Sequence, residues 1–177
     1  MKKSGFCALI GRSNVGKSTL LNALVGTKVA ITTHKPQTTR HQIQGVVHDP
    51  RGQIVLVDTP GIFEHPRDQV TRALNRAASA ALTGVDVIVH VVDPTRPRGN
   101  EEHIIERLLA NTQVPKLLVI NKMDERHPLF RTEYNDREGY RGVYEISALR
   151  HRGLKPLVDA VIELLPEGEP YYPEFQF

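Results

Sequence analysis

The stretch GRSNVGKS at residues 11–18 constrains the fold more than any other part of the chain. It follows an apolar run at 5–11 that predicts a buried strand. Three leucines between 20 and 24 then mark one face of a helix that should end at Gly26. Strand, glycine loop and helix together form the setting in which backbone amides and a helix N-terminus hold a phosphate. The sequence therefore predicts a phosphate-binding loop in an α/β fold.

Each part of this loop has an expected task. Gly11 and Gly16 permit a tight backbone path, Lys17 should bridge the outer phosphates of a nucleoside triphosphate, and the Ser18 hydroxyl should ligate magnesium. The alternative is a glycine turn that caps an ordinary helix. The predicted nucleotide contacts in this stretch are Gly11, Arg12, Ser13, Asn14, Val15, Gly16, Lys17, Ser18 and Thr19.

A second motif, NKMD at residues 121–124, indicates the base. The Asp124 carboxylate can accept two hydrogen bonds from the N1 and N2 hydrogens of guanine, whereas adenine has an acceptor at N1 and no donor at C2. A backbone amide in the later stretch SAL could donate to guanine O6. The predicted base contacts are Asn121, Lys122, Met123, Asp124, Ser147, Ala148 and Leu149.

The remaining pattern alternates between strands and helices. A hairpin is expected at 42–48 and 53–57, with later strands at 85–92, 115–120 and 142–146 and later helices near 70–81, 104–109 and 154–165. This order predicts a doubly wound, six-stranded sheet that is parallel except for one hairpin strand, with helices on both faces. Ligands should bind at the carboxyl ends of the strands, where all the polar motifs fall.

Two further segments are expected to complete the site. Asp58 could hold a magnesium-bound water and the Gly61 amide could meet the last phosphate. In the polar loop at 27–40, Thr39 is the candidate that reaches magnesium, with Thr38 close behind and a solvated role for both left open. The predicted magnesium set is Ser18, Thr39 and Asp58, and the further nucleotide contacts are Asp58, Thr59, Pro60, Gly61 and Ile62.

Composition bounds the class of protein. The 177 residues, 40% of them hydrophobic and 24% charged, are typical of one globular domain. The single cysteine excludes an internal disulfide and favours a reducing, intracellular setting, and no apolar run approaches the roughly 20 residues that cross a bilayer. The net charge of +3, with small basic clusters at Arg96 and Arg98 and at Arg150 and Arg152, fits either a solvated surface or an anionic partner.

The motifs together resemble the translation-factor-related class of P-loop GTPases, which implies a three-layer fold. KPQTTRHQIQGV at 35–46, DTPGI at 58–62 and LPEGEPYYPE from Leu165 are similar to the Era family of ribosome-assembly GTPases, and the resemblance covers nearly the whole chain. It implies GTP hydrolysis with magnesium, action on the small ribosomal subunit and its rRNA, and a cytoplasmic monomer with some association at the inner face of the cell membrane.

The family also carries a C-terminal KH domain that binds the small-subunit rRNA. We expect residues 1–165 to form the GTP-binding G domain, and residues 166–177 to be either a terminal strap or a linker toward that KH domain. No GxxG loop of KH type follows the last helix, which puts RNA binding by this chain in doubt.

The motifs say less about the rate of GTP hydrolysis than about nucleotide binding. Ile62 stands where many GTPases place a water-orienting glutamine, so slow intrinsic hydrolysis is expected. The catalytic residues expected are Lys17, Thr39 through the backbone near it, and Asn14, with charge stabilisation by a monovalent cation. Asn14 resembles the phosphate-loop asparagine that binds potassium in related GTPases, and a structural role for Asn14 is at least as good an alternative. A slow guanine-nucleotide sensor or binding module is the alternative function.

Overall fold

The computed structural model describes residues 1–26, 43–57, 80 and 82–173. Within these ranges the strands are β1 (Lys3–Ile10), β2 (Ile43–Asp49), β3 (Gly52–Val57), β4 (Val87–Val92), β5 (Lys116–Ile120) and β6 (Val143–Glu145). The helices are α1 (Lys17–Val25), α2 (Asn100–Ala110) and α3 (Leu154–Leu164), and a 3-10 helix at Arg131–Tyr134 was not predicted. The helix predicted at 70–81 lies outside the described residues except for Ala80. In the described ranges no helix is long and apolar enough to cross a membrane.

All six strands form one sheet in the order β2-β3-β1-β4-β5-β6. The β2–β3 pair is antiparallel, and every other pair is parallel. The predicted doubly wound sheet with one antiparallel hairpin strand is therefore confirmed. Because β1 lies at its centre, the phosphate loop leaves the sheet at the point where crossover connections diverge to both sides.

Side chains alternate across β1 and divide the core into two layers. Cys7 and Leu9 pack into a cluster with apolar side chains of α1 and α3. Phe6 and Ile10 point the other way, into a cluster that includes α2. A parallel strand that is apolar on both faces requires cover on both, which these helices supply. The three-layer arrangement is confirmed.

The chain after α3 packs along the amino ends of the central strands. The Ser4 amide donates to the Pro166 carbonyl (3.1 Å), and the Gly168 amide donates to the Lys2 carbonyl (2.8 Å). Further on, the buried Gln53 side chain of β3 donates to the Tyr172 carbonyl (2.9 Å) and accepts from the Tyr171 amide (2.9 Å). We refer to the part of the tail that makes these contacts, residues 166–173, as the strap. The domain bounds at 1–165 and the role of the tail as a linker toward a KH domain stay predictions.

Candidate functional site

The predicted motifs meet at one edge of the sheet. Gly11 follows β1, Asp93 follows β4, Asn121 follows β5, and Ser147 lies just after β6. These four strands are parallel, so their carboxyl ends lie side by side. In doubly wound sheets this edge holds the ligand.

Two glycines of the phosphate loop have no room for a side chain. Gly16 precedes α1 with φ of 97°, in the left-handed region, and a Cβ there would lie 2.3 Å from Nδ2 of Asn121. A Cβ on the buried Gly11 would lie 2.7 Å from the carbonyl oxygen of Val91. Close packing against the ends of β4 and β5 therefore explains why the loop uses glycine at both positions.

Three consecutive carbonyls of the loop are each held by a different side chain. The Ser13 carbonyl accepts from Arg96 Nη2 (2.8 Å), the Asn14 carbonyl from Lys122 Nζ (2.9 Å), and the Val15 carbonyl from Asn121 Nδ2 (2.9 Å). In a trans peptide the C=O and the following N–H point in opposite directions, and the described residues contain no cis peptide bond. The next three amides therefore face away from these side chains, as a row of donors that fits a phosphate group.

Asp93 connects two of the side chains that hold the loop. Its fully buried carboxylate accepts from Lys122 Nζ (2.8 Å) and Arg96 Nε (2.9 Å), and also from the Thr95 amide (2.9 Å) and hydroxyl (2.6 Å). Burial acts to raise the pKa of Asp93, but the hydrogen bonds from Lys122, Thr95 and Arg96 outweigh it and lower the pKa to about 2. Asp93 is therefore ionised at neutral pH and anchors both cations.

Sequence reasoning missed Asp93 and Arg96 as site residues. In the sequence Arg96 stands only in a small basic cluster with Arg98, which does not distinguish it from a surface arginine. The position of Asp93 was the available signal, because it follows an apolar strand in the same way that Asn121 does. A polar residue directly after a central parallel strand lies at the ligand-binding edge of the sheet.

Asn121 joins the phosphate loop to the predicted base loop. Its Nδ2 donates to the Val15 carbonyl, and its Oδ1 accepts from the Ala148 amide (3.0 Å). The side chain is 3% exposed. Because removal of either end would leave a buried polar group unpaired, Asn121 fixes the two loops relative to each other. A direct contact of Asn121 with a base stays a prediction.

Asp124 is held as an oriented anion at the rim of the site. The Ser147 hydroxyl donates to Asp124 Oδ1 (2.6 Å) and accepts from the Arg150 amide (3.1 Å). The hydrogen bond from Ser147, opposed by partial burial and supported by the charges of Arg150 and Arg152, lowers the pKa of the Asp124 carboxyl. An ionised carboxylate in a fixed orientation fits the two adjacent N–H donors of guanine.

The amides predicted to donate to guanine O6 are partly engaged within the protein. The Ser147 amide donates to the Arg152 carbonyl (3.1 Å), and the Ala148 amide donates to Asn121. Leu149 is 64% exposed beside them. Donation to O6 would therefore require a shared Ala148 hydrogen or the Leu149 amide, and it stays a prediction.

The other predicted contacts divide by location. Arg12 and Val15 are buried, and Arg12 Nη1 donates to the Pro97 carbonyl (2.9 Å), so either residue could reach a phosphate only through its backbone. Lys17 begins α1, Ser18 and Thr19 follow with exposed side chains, and the Met123 amide donates to the Ile146 carbonyl (3.1 Å). Six predicted site residues lie outside the described residues: Thr39, Asp58, Thr59, Pro60, Gly61 and Ile62.

A buried polar cluster connects the phosphate loop to α2. Glu102 of α2 is fully buried, hydrogen-bonded to His90 of β4 and 3.7 Å from Arg12 Nε. The other ring nitrogen of His90 lies 2.8 Å from the Tyr140 hydroxyl. The cluster joins Arg12, at the start of the phosphate loop, to α2, which lies on the other face of the sheet from α1. The helix α2 therefore also supports the site.

Comparisons with known proteins agree with this geometry. A family model described as 50S ribosome-binding GTPase matches residues 6–122. GTPase Era of Carboxydothermus hydrogenoformans is 45% identical over 179 residues, which cover 98% of this chain and 59% of that protein.

Two solved structures have the same fold over nearly the whole chain. An Aquifex aeolicus Era variant bound to GDP.AlF4- matches with a TM-score of 0.74 at 36% identity, covering 97% of this chain and 60% of that one. Era in complex with MgGDPNP and nucleotides 1506–1542 of 16S ribosomal RNA matches with a TM-score of 0.74 at 34% identity, covering 98% of this chain and 60% of that one. The chain thus spans about 59% of the length of the curated relatives it matches.

Proposed function

The chain belongs to the family of 50S ribosome-binding GTPases, and on this basis we propose that it binds GTP and hydrolyses it to GDP and phosphate as a molecular switch. The resemblance to the Era GTPases that the motifs predicted is confirmed by the 45% identity to one of them.

The observation that carries the proposal is the bridge made by Asn121. One buried side chain binds the Val15 carbonyl of the phosphate loop and the Ala148 amide of the base loop. A row of outward amides and an oriented carboxylate are thereby held at one edge of the sheet, and a nucleotide needs both. A structural turn that only caps α1 would not require a second loop fixed against it.

Magnesium fits the same site in the part that is described. Ser18 lies in the first turn of α1 with its hydroxyl exposed, and we propose that it holds the ion together with Thr39 and Asp58. When bound, magnesium would neutralise the charge that accumulates on the phosphate oxygens. Lys17 would bind the outer phosphates from its place at the start of α1.

Turnover is proposed to be slow. Ile62 offers no hydrogen-bonding group to a water, so we assign positioning of the transition state to Lys17, Thr39 and Asn14, with a potassium ion beside Asn14. Asn14 has φ of 64°, a conformation that asparagine tolerates better than most residues, and this supports its structural role equally well. Hydrolysis rates in potassium and sodium buffers separate the two roles, and equal rates would remove the potassium ion from the proposal.

The proposed cellular role follows the relatives. One matched Era structure contains a segment of 16S ribosomal RNA. We propose that the whole protein acts in small ribosomal subunit assembly and rRNA processing, mainly through a KH domain, as a cytoplasmic monomer with peripheral association at the inner face of the cell membrane. The loops at 27–40 and 59–66 would order with GTP and relax with GDP.

Nucleotide affinity tests the proposal directly. The chain in potassium buffer should bind GDP and GTP at least about 100-fold more tightly than ADP and ATP, since adenine leaves the Asp124 carboxylate without its donors. Asp124→Asn should weaken GDP binding and favour xanthosine diphosphate, because an amide can donate to the 2-oxo group. Asp159→Asn, which changes an exposed carboxylate that pairs with Arg51 and Lys155, is the matched control and should leave the preference intact. Unaltered GDP affinity in Asp124→Asn would contradict the assignment of the base site.

Ile62 favours a second candidate, a guanine-nucleotide sensor with little intrinsic turnover. Single-turnover phosphate release, measured with and without small ribosomal subunits, distinguishes the two functions. Release that subunits accelerate supports the switch. Release that stays slower than nucleotide exchange under both conditions supports the sensor.

A further inference from the structure

We propose that Asp93 and Arg96 are positioning residues for nucleotide phosphates: Arg96, anchored by Asp93, orients the peptide plane between Ser13 and Asn14. This rests on the proposed function, since it concerns how the same loop binds its ligand. Neither residue belongs to the two sequence motifs that indicated the site. Both lie in the connection between β4 and α2.

The guanidinium of Arg96 makes two bonds in different directions. Nε donates to Asp93 Oδ2 (2.9 Å), while Nη2 donates to the Ser13 carbonyl (2.8 Å). The planar fork of arginine fixes the angle between these bonds, so a buried carboxylate on one side sets the direction in which the carbonyl is pulled on the other. Because that carboxylate is fully buried, the anchor itself cannot shift without loss of its bonds to Thr95 and Lys122.

The 13–14 peptide plane needs such an anchor. Ser13 and Asn14 are exposed, and Asn14 has φ of 64°, a sparsely populated conformation for a residue other than glycine. Backbone in such a region persists only when its surroundings hold it. Rotation of this plane would turn the Asn14 amide away from the ligand, and the row of three donors would become two.

The next two peptide planes of the loop are held by side chains of the NKMD motif. Lys122 holds the Asn14 carbonyl and Asn121 holds the Val15 carbonyl. Arg96 completes the series at Ser13, and it shares Asp93 with Lys122. The single buried carboxylate of Asp93 therefore supports two of the three peptide planes. Substitution of Arg96 should weaken binding of the nucleotide's phosphates and leave binding of its base unchanged.

Binding of GDP and of guanosine, which has no phosphate, separates these effects. We expect Arg96→Ala to weaken GDP binding about three- to tenfold, the loss of one charge-assisted but partly exposed hydrogen bond, and to leave guanosine binding unchanged. Arg96→Lys should be intermediate, because a single ammonium cannot reproduce the two-directional fork. Displacement of a fluorescent GDP analogue by either compound gives both affinities.

Arg51→Ala is the matched control. Arg51 also pairs with carboxylates, Asp49 and Asp159, but it lies at the β2–β3 turn, away from the carboxyl ends of the parallel strands. Its removal should leave both affinities unchanged. Thermal unfolding of each variant without nucleotide reports any general loss of stability.

The outcomes separate this proposal from the proposed function. Unchanged GDP affinity in Arg96→Ala overturns the positioning role alone, and so does an equal loss of GDP and guanosine affinity, which would indicate a distortion of the whole site. If the unsubstituted chain shows no preference for GDP over ADP, the proposed function fails and the positioning role fails with it. Should Arg96→Ala not fold, Arg96→Lys carries the same comparison, and equal affinity for GDP in that variant would overturn the role of the fork.

Discussion

Substitution of Gly16 by alanine tests how closely the phosphate loop packs against the base motif. Two effects add at this position. The residue has φ of 97°, and the new Cβ would lie 2.3 Å from Nδ2 of Asn121, well inside van der Waals contact. Asn121 would have to move, although its side chain is 3% exposed and bonded at both ends.

The magnitude follows from these two effects. Left-handed backbone costs an alanine about 1–2 kcal/mol relative to glycine. Displacement of Asn121 breaks its bond to the Val15 carbonyl, and a buried group that loses its partner costs about 1–3 kcal/mol, with a similar cost if the Ala148 amide is also released. We therefore expect Gly16→Ala to lower the free energy of unfolding by about 2–5 kcal/mol if only the Val15 bond is lost, and by about 3–8 kcal/mol if the Ala148 amide is released as well.

Gly84→Ala provides the matched control. Gly84 has φ of 81°, and no described atom lies within 4 Å of a Cβ built there. It should lose only the backbone part, about 1–2 kcal/mol. Urea unfolding of both variants without nucleotide, followed by far-UV circular dichroism, gives the difference. If Gly16→Ala is destabilised no more than Gly84→Ala, the close approach of Gly16 and Asn121 is wrong.

Three further predictions concern Asp93, Cys7 and Gln53. The pKa of Asp93 is lowered from 3.8 to about 2, so its contribution to the free energy of unfolding is present above pH 3.8 and is lost as the pH falls through about 2. Urea unfolding at pH 5 and at pH 2 should show a loss of about 2 kcal/mol in the unsubstituted chain and a smaller loss in Asp93→Asn. Equal losses in the two proteins would contradict the lowered pKa. Burial raises the pKa of the Cys7 thiol to about 12, so an aromatic disulfide reagent at pH 8 should label it only after unfolding, and rapid labelling of the folded chain would refute its placement in the core. Gln53→Ala removes the hydrogen bonds of Gln53 to the Tyr172 carbonyl and from the Tyr171 amide, and it should lower the free energy of unfolding by about 2–3 kcal/mol and expose residues 166–173 to protease. Protection equal to that of the unsubstituted chain would argue against the strap.

The fold could be predicted from the sequence because its strongest signals are local. The run at 5–10 is apolar without interruption, and the run at 85–92 is apolar except for Asp86 and His90, as is typical of strands buried on both faces. The turn at 49–52 specified the antiparallel hairpin in the same local way. The 3-10 helix at Arg131–Tyr134 has no comparable periodicity, and its only buried residue is Tyr134.

Site residues could be predicted where the residue type alone indicates the ligand. They could not be predicted where only a contact with a residue far along the chain brings them to the site. Asp124 could be predicted as a base contact because a carboxylate accepts from the N1 and N2 donors of guanine, and that contact stays a prediction. The bond from Arg96 to Ser13 joins residues 83 positions apart, so nothing local distinguishes Arg96 from a surface arginine. The bond from Gln53 to Tyr172 spans 119 positions, and the sequence therefore left the tail open between a strap and a linker.

The strap also determines how the domain bears mechanical load. A pulling force applied at Pro173 would act first on the buried bonds between Gln53 and the two tyrosines, before it reached α3. Gln53 lies in β3, which is hydrogen-bonded to β1 on one side and β2 on the other. We therefore expect tension from the tail to pass first into β3 and the two strands beside it, β1 and β2. The strands that precede the NKMD and SAL stretches, β5 and β6, lie beyond β1 and β4 in the sheet, so we expect less of this tension to reach them.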